Sequence, residues 1–309
     1  MSFENLMAEA AEIQRSAIQH QVGTGLAQAG RAAPYEEKYL TQKAESDFAD
    51  IPGLFEPFSM MPDPAGYSGM INGLADAMHV LSAGQDTKDE IDGPVYPANP
   101  VMDKLTGSES YLENWTGKAA EDFKRNFIDP FPAVVSNQFL ITSVLKGAIE
   151  AHQEMWRRAR TDIDKIATDT IAALDHMDDC GSNDWSMAFT VLGAVVAVAA
   201  APVTDGTSLI ALAAVGSAAS IASTAAGSGS TPTRRFSGES AGAVISQMRQ
   251  AISMLADDIN TEEQKITRAM KDTHSIVQMS RSAFVSKRPL LAGADAKDIT
   301  GDGFMGYAT

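Results

Sequence analysis

Two stretches of this chain carry helical periodicity far longer than a small domain needs, and they limit the architectures open to it. Residues 133–178 contain no proline and a single glycine, Gly147. Ile141, Leu145, Ala148, His152, Met155 and Ala159 follow at alternating steps of four and three, and Ile163 and Ile166 extend the stripe after one slip. Side chains three and four apart line one helix face, so this near-heptad seam predicts a long bundle or coiled-coil helix. At 1.5 Å per residue it spans roughly 68 Å. Residues 239–284 carry a second seam: Ile245, Met248, Ile252, Leu255, Ile259, Ile266, Met270 and Val277. The similar lengths predict an antiparallel pair.

Shorter elements surround this pair. Residues 2–29 read as a helix with Leu6, Ala10, Ile13, Ile18 and Leu26 inward. Residues 31–66 hold Pro34, Pro52, Gly53, Pro57, Pro62 and Pro64, and read as loop-rich with short helical pieces. A helix over 67–82 aligns Met70, Leu74, Met78 and Leu81. A loop over 84–100 and a short helix over 100–105 follow. No strand-like alternation of four or more residues stands out. With 44% hydrophobic, 21% charged and 7% aromatic residues, the chain has apolar material for a core, and its Ala and Met content favours helix.

Between the long helices lies the least usual segment. From Trp185 to Thr204 there is no charge, Asp205 interrupts, and Gly206 to Thr233 is again uncharged. Pro202-Val203-Thr204-Asp205-Gly206 has turn chemistry. The segment reads as two short apolar helices in a hairpin, with Val191, Leu192, Val195, Val196, Leu209, Ile210, Leu212 and Val215 as its assembly or membrane face. The first run is shorter than the roughly 18 residues a membrane span needs, and the second only reaches it. Small residues equally suit close helix packing in water, in lipid or against a second copy.

The net charge of −16 argues against nucleic-acid binding, which needs clustered Lys and Arg, and against a bare anionic bilayer. A single cysteine, Cys180, excludes an internal disulfide. The five histidines are scattered, and His152 reads as a polar residue tolerated in the seam. Asp175, Asp178, Asp179 and Asp184 read as a solvated helix end. Asp298, Thr300, Asp302 and Gly303 match part of a calcium loop, but its twelfth position is Thr309, so the stretch reads as tail. No nucleophile elbow, P-loop, dinucleotide fingerprint or metal-ligand spacing appears. The expectation is a non-enzyme without cofactor or metal. The start of the chain has no basic region and no early apolar run, so no Sec signal is read.

Trp115-Thr116-Gly117 stands before the first long helix, followed by Ala119, Ala120, Phe123 and Phe127. Glycine permits a tight turn, tryptophan can clasp two helices, and the two phenylalanines share a face. Over residues 67–180 this arrangement resembles the WxG superfamily of helical hairpins exported by type VII (ESX) secretion, and the larger helical proteins built on that hairpin. The resemblance makes Trp115, Gly117, Phe123 and Phe127 the partner-binding residues. Its export signal, Tyr followed four residues later by Asp or Glu, is absent, which leaves a partner to supply it.

The expected fold is all-α: an elongated bundle with a WxG hairpin and an apolar helical hairpin at one end. Its parts are an N-terminal helix and loop-rich segment (1–66), the WxG hairpin with its long helix (67–184), the apolar hairpin (185–232), the second long helix (233–286) and a tail (287–309). The expected function is non-catalytic: a type VII secretion substrate or export partner that self-assembles or pairs with a small WxG protein or secretion component. It would be cytoplasmic before non-Sec export, then secreted or surface-associated. One alternative is an α-helical pore-forming or membrane-acting protein that uses 185–227. Another is a delivery or adaptor region for a separately encoded toxin.

Overall fold

The computed structural model describes residues 3–29, 34–83, 86–89, 93–106, 116–178, 184–188, 233–237 and 240–286. Most of them are helical: α1 (Leu6–Ala29), α2 (Pro34–Asp47), α3 (Ile51–Ser59), α4 (Ser68–Leu81), α5 (Pro100–Thr106), α6 (Lys118–Phe123), α7 (Phe131–Asp175) and α8 (Ala241–Met279). Short 3-10 turns, one π-turn and two antiparallel two-stranded ribbons complete the described elements. One ribbon joins β1 (Thr87–Lys88) to β2 (Val95–Tyr96), the other β3 (Asp184–Ala188) to β4 (Thr233–Ser237). The chain divides into two compact units. One takes residues 1–66, 152–194 and 226–264, the other 67–151, 195–225 and 265–309.

The first unit buries Leu6, Ala10, Ile13 and Ala17 of α1. Ala17 takes the position expected of Ile18, which is half-buried, as is Leu26. Residues 31–66 are far more helical than their prolines suggest. Pro34 opens α2, where a missing N–H costs nothing, and Pro52 sits in the first turn of α3. Only Pro57 lies inside a helix, within the short α3. Burial holds these helices: Ala44, Phe48, Ile51, Phe55 and Phe58 are all under a tenth exposed. Each large side chain so buried is worth about 1.5–3 kcal/mol.

Polar clamps fix this corner. Gln14 Nε2 donates to the Phe48 carbonyl (3.0 Å). Arg249 of α8 donates to both Asp50 carboxylate oxygens (3.0 and 2.6 Å) and to the Asp47 carbonyl (2.9 Å). From α7, Arg160 donates to the Met61 carbonyl (2.7 Å) and lies 4.4 Å from the centre of the Phe3 ring. Gln153 donates to the Pro64 carbonyl (2.9 Å).

In the second unit Tyr96 of β2 stands edge-on to His79 of α4 (4.9 Å between centroids) and to Phe139 of α7 (5.6 Å), and buries with Phe139 and Met78. Gly93, at φ +89°, precedes β2. Ser82 Oγ donates to the Tyr96 carbonyl (2.9 Å). Asp89 and Lys146, both almost fully buried, face each other at 3.8 Å. Lys146 also pairs with Glu150 (2.8 Å), and Ser143 Oγ donates to Asp89. Near the start of α7, Asn137 and Gln138 donate to the carbonyls of Ala283 and Phe284, just beyond α8, as an antiparallel pair requires.

Both long helices form close to their expected bounds, but the stripe on α7 differs. From Ala148 its buried positions are Ala151, Met155, Ala159, Asp162, Ile166, Thr170 and Ala173, at repeating steps of three, four and four. A second row, Ile163, Ala167, Ile171 and Leu174, widens the stripe. Such an eleven-residue repeat drifts by about 20° per repeat against a straight helix, in the opposite sense to a heptad, and extended backwards it falls on Val144 rather than Leu145. Val144 is therefore buried, whereas Leu145 is 37% exposed and Ile141 and His152 are half-buried. On α8 the seam Ile245, Met248, Ile252, Leu255, Ile259, Glu262 and Ile266 alternates threes and fours. Thr273 continues it in place of the expected Met270 and Val277, which are half-buried.

Candidate functional site

Two regions hold the residues to which function was assigned. The first is the turn before α7. Trp115 lies outside the described residues. Gly117 has φ +100° and ψ 169°, a conformation open only to glycine, and its carbonyl accepts from the Glu121 N–H (3.0 Å) to start α6. A Cβ built at Gly117 would meet nothing within 4 Å, so backbone geometry rather than space demands glycine here.

One π-turn, Lys124–Ile128, follows α6, closed by the Asp129 N–H on the Lys124 carbonyl (2.9 Å). Pro130 and Pro132 sit at its exit. Phe123 and Phe127 stack with centroids 5.2 Å apart, and Phe131 extends the ladder at 5.8 Å. All three are half-buried and Ala120 is buried. The shared face of Phe123 and Phe127 is thus formed. Phe131 belongs to it as well, and its spacing of four from Phe127 was the available signal.

The second region lies between α7 and α8. Residues 185–188, read as the opening of an apolar helix, form β3 instead and pair with β4. The register is Asp184↔Ser237, Trp185↔Phe236, Ser186↔Arg235, Met187↔Arg234 and Ala188↔Thr233. Asp-Trp-Ser-Met alternates polar and apolar residues, a strand signal masked by the run of small apolar residues behind it. Register partners in an antiparallel pair lie about 4.5–5.5 Å apart. The ribbon therefore brings together the two ends of residues 189–232, whose one charged residue is Asp205. Val191, Leu192, Val195, Val196, Leu209, Ile210, Leu212 and Val215 lie outside the described residues, as do Cys180, Asp179 and the tail 287–309.

Several charged groups on the helices make ion pairs. The Arg249 hydrogen bonds hold the Asp50 carboxyl below the usual aspartate range against some burial. On α7, Arg157 and Arg158 both donate to Glu154 and keep its carboxyl below the ordinary value. His152 lies edge-on to Trp156 at 6.2 Å. Among the described residues no group of three or more His, Cys, Asp or Glu is placed to hold a metal ion, and no helix is long and apolar enough to cross a membrane. No protein-family model, curated protein or solved structure matches this chain.

Proposed function

We propose that this helical protein acts at membranes, carrying residues 189–232 as an insertable apolar segment on the β3–β4 ribbon. The observation that carries the reading is the ribbon's position. It sits between the two longest helices and closes the ends of a stretch with one charge. Ala, Ser and Gly within that stretch suit close helix contact once water is excluded. The net charge of −16 directs the protein to zwitterionic rather than anionic lipid.

The test is dye release from phosphatidylcholine vesicles, with and without phosphatidylserine. Release by the native protein, abolished in Val195→Asp/Leu212→Asp with its helical circular dichroism intact, supports the reading. A protein that leaves both vesicle types sealed and elutes unchanged beside them refutes it.

A second reading, a non-catalytic type VII secretion partner with a WxG hairpin, is favoured by the positive φ of Gly117 and the Phe123–Phe127 face after it. It is tested by co-purification with a small WxG protein encoded beside it. Retention of the partner by Phe123→Ser/Phe127→Ser would end that reading.

A further inference from the structure

Helix α2 packs on α1 along one side and leaves its opposite side open. On the inner side Ala44 is buried, Leu40 is half-buried, and Gln21 of α1 donates to Asp47 (2.8 Å). Leu40 lies so close to Gly25 that a Cβ built there would sit 3.0 Å from its methyl carbons. At 3.6 residues per turn the outer side carries Tyr35, Lys38, Tyr39, Gln42, Glu45 and Ser46, and all six are exposed. Tyr35 and Tyr39, one turn apart, are 72% and 64% exposed, and no other aromatic side chain among the described residues is exposed. Apolar residues scattered singly over a surface are ordinary. Two tyrosines in line on one helix face have the chemistry of an interface, since each offers a large contact area with few rotamers to freeze.

We infer that this face pairs with the same face of a second copy of the chain, the two α2 helices running antiparallel about a two-fold axis beside Gln42. The charge pattern selects the copy. With a net charge of −16, two copies repel over most of their surface, but the outer side of α2 balances one lysine with one glutamate. Lys38 precedes Gln42 by four residues and Glu45 follows it by three. In an antiparallel crossing at Gln42 they come level to within one residue, about 1.5 Å. A two-fold axis also sets each flank of the face against the same flank of the copy, and Lys38 and Glu45, seven residues apart, share a flank. Each lysine therefore meets the other copy's glutamate, and the pattern is its own complement. Tyr35 and Tyr39 line the other flank, where Tyr39 comes level with Ser46 of the copy to the same tolerance. The ion pair within α2 is Lys43 with Asp47 (3.6 Å) and uses neither Lys38 nor Glu45. One helix of 14 residues offers less than the roughly 800 Å² per partner of a standard interface, so the dimer is a weak, concentration-dependent one. Its surface is separate from residues 189–232 and from the Phe123–Phe127 face.

The experiment is sedimentation velocity of the full-length protein from micromolar concentrations upward. The variants are Lys38→Glu, Glu45→Lys and the exchange Lys38→Glu/Glu45→Lys, all at exposed positions, with helical circular dichroism as the check on folding. Each single reversal sets like charges level at both contacts and should raise the dimer Kd several-fold, and the exchange should restore it. A mixture of the two single variants should form a mixed dimer as tight as the native one, because both of its contacts are complementary. Glu45→Lys reduces the net negative charge, so a general charge effect would strengthen its association instead of weakening it. Tyr39→Ala should weaken the dimer about tenfold or more. A chain that stays monomeric at every concentration overturns the inference. So does a dimer or larger species indifferent to the charge reversals and to Tyr39→Ala, because a different surface would then hold the copies together.

Discussion

Replacing Lys146 by methionine keeps an unbranched side chain of similar length and deletes only the charge. Lys146 is 5% exposed, and its ammonium lies 3.8 Å from Asp89, itself 1% exposed, and 2.8 Å from Glu150, which is 21% exposed. Once the ammonium is gone, Asp89 keeps the Ser143 hydroxyl but loses the cation 3.8 Å away in a low-dielectric interior. Breaking a buried pair from one side costs about 3–5 kcal/mol. Lys146→Met should lose that amount. Asp89→Asn/Lys146→Met should recover most of it, because no buried charge is left. Glu150→Gln should cost below about 1 kcal/mol, as its carboxylate reaches solvent. Urea unfolding followed by circular dichroism measures the total, and hydrogen exchange over 86–99 localises it to the β1–β2 ribbon. A loss under about 1 kcal/mol for Lys146→Met, with ribbon protection unchanged, would mean the pair is solvated and would refute the reasoning.

Three further outcomes follow from the same structure. Gly117→Ala should cost about 1–3 kcal/mol although the site is open, because the penalty is backbone strain; a neutral effect in urea unfolding would contradict the φ of +100°. Met155→Ala, at 1% exposure in the α7 stripe, should cost about 2–5 kcal/mol by the same assay, whereas Leu145→Ala, at 37%, should cost far less. Arg249→Gln should destabilise by less than about 1 kcal/mol at neutral pH, since both partners are partly exposed. Asp50 is depressed in the fold, so its contribution is present above the ordinary value of 3.8 and fades as pH falls through the folded value. Melting curves of native and variant protein should therefore converge in strong acid.

The long helices were legible because their seams recur over many turns, and α8 kept its heptad through Ile266 even where Glu262 interrupts it. On α7 the heptad reading misplaced Leu145, since steps of three, four and four differ from it by one residue per repeat. The helices α2 and α3 were hidden by prolines that stand at helix starts, where they are harmless. The Gly117 turn was readable because its demand is local. The ribbon was not, because five-residue strands are held by partners far along the chain.

The β3–β4 ribbon has one more consequence, for how this chain can be altered. With Ala188 opposite Thr233, the two ends of the intervening stretch are held together whatever its length. Closing a loop costs only about 0.6 kcal/mol more for each doubling of its size. As far as loop closure alone is concerned, the length of that interval is only weakly constrained. Adding or removing one residue within a strand is a different matter, since it shifts the register and turns every later side chain of that strand to the other face.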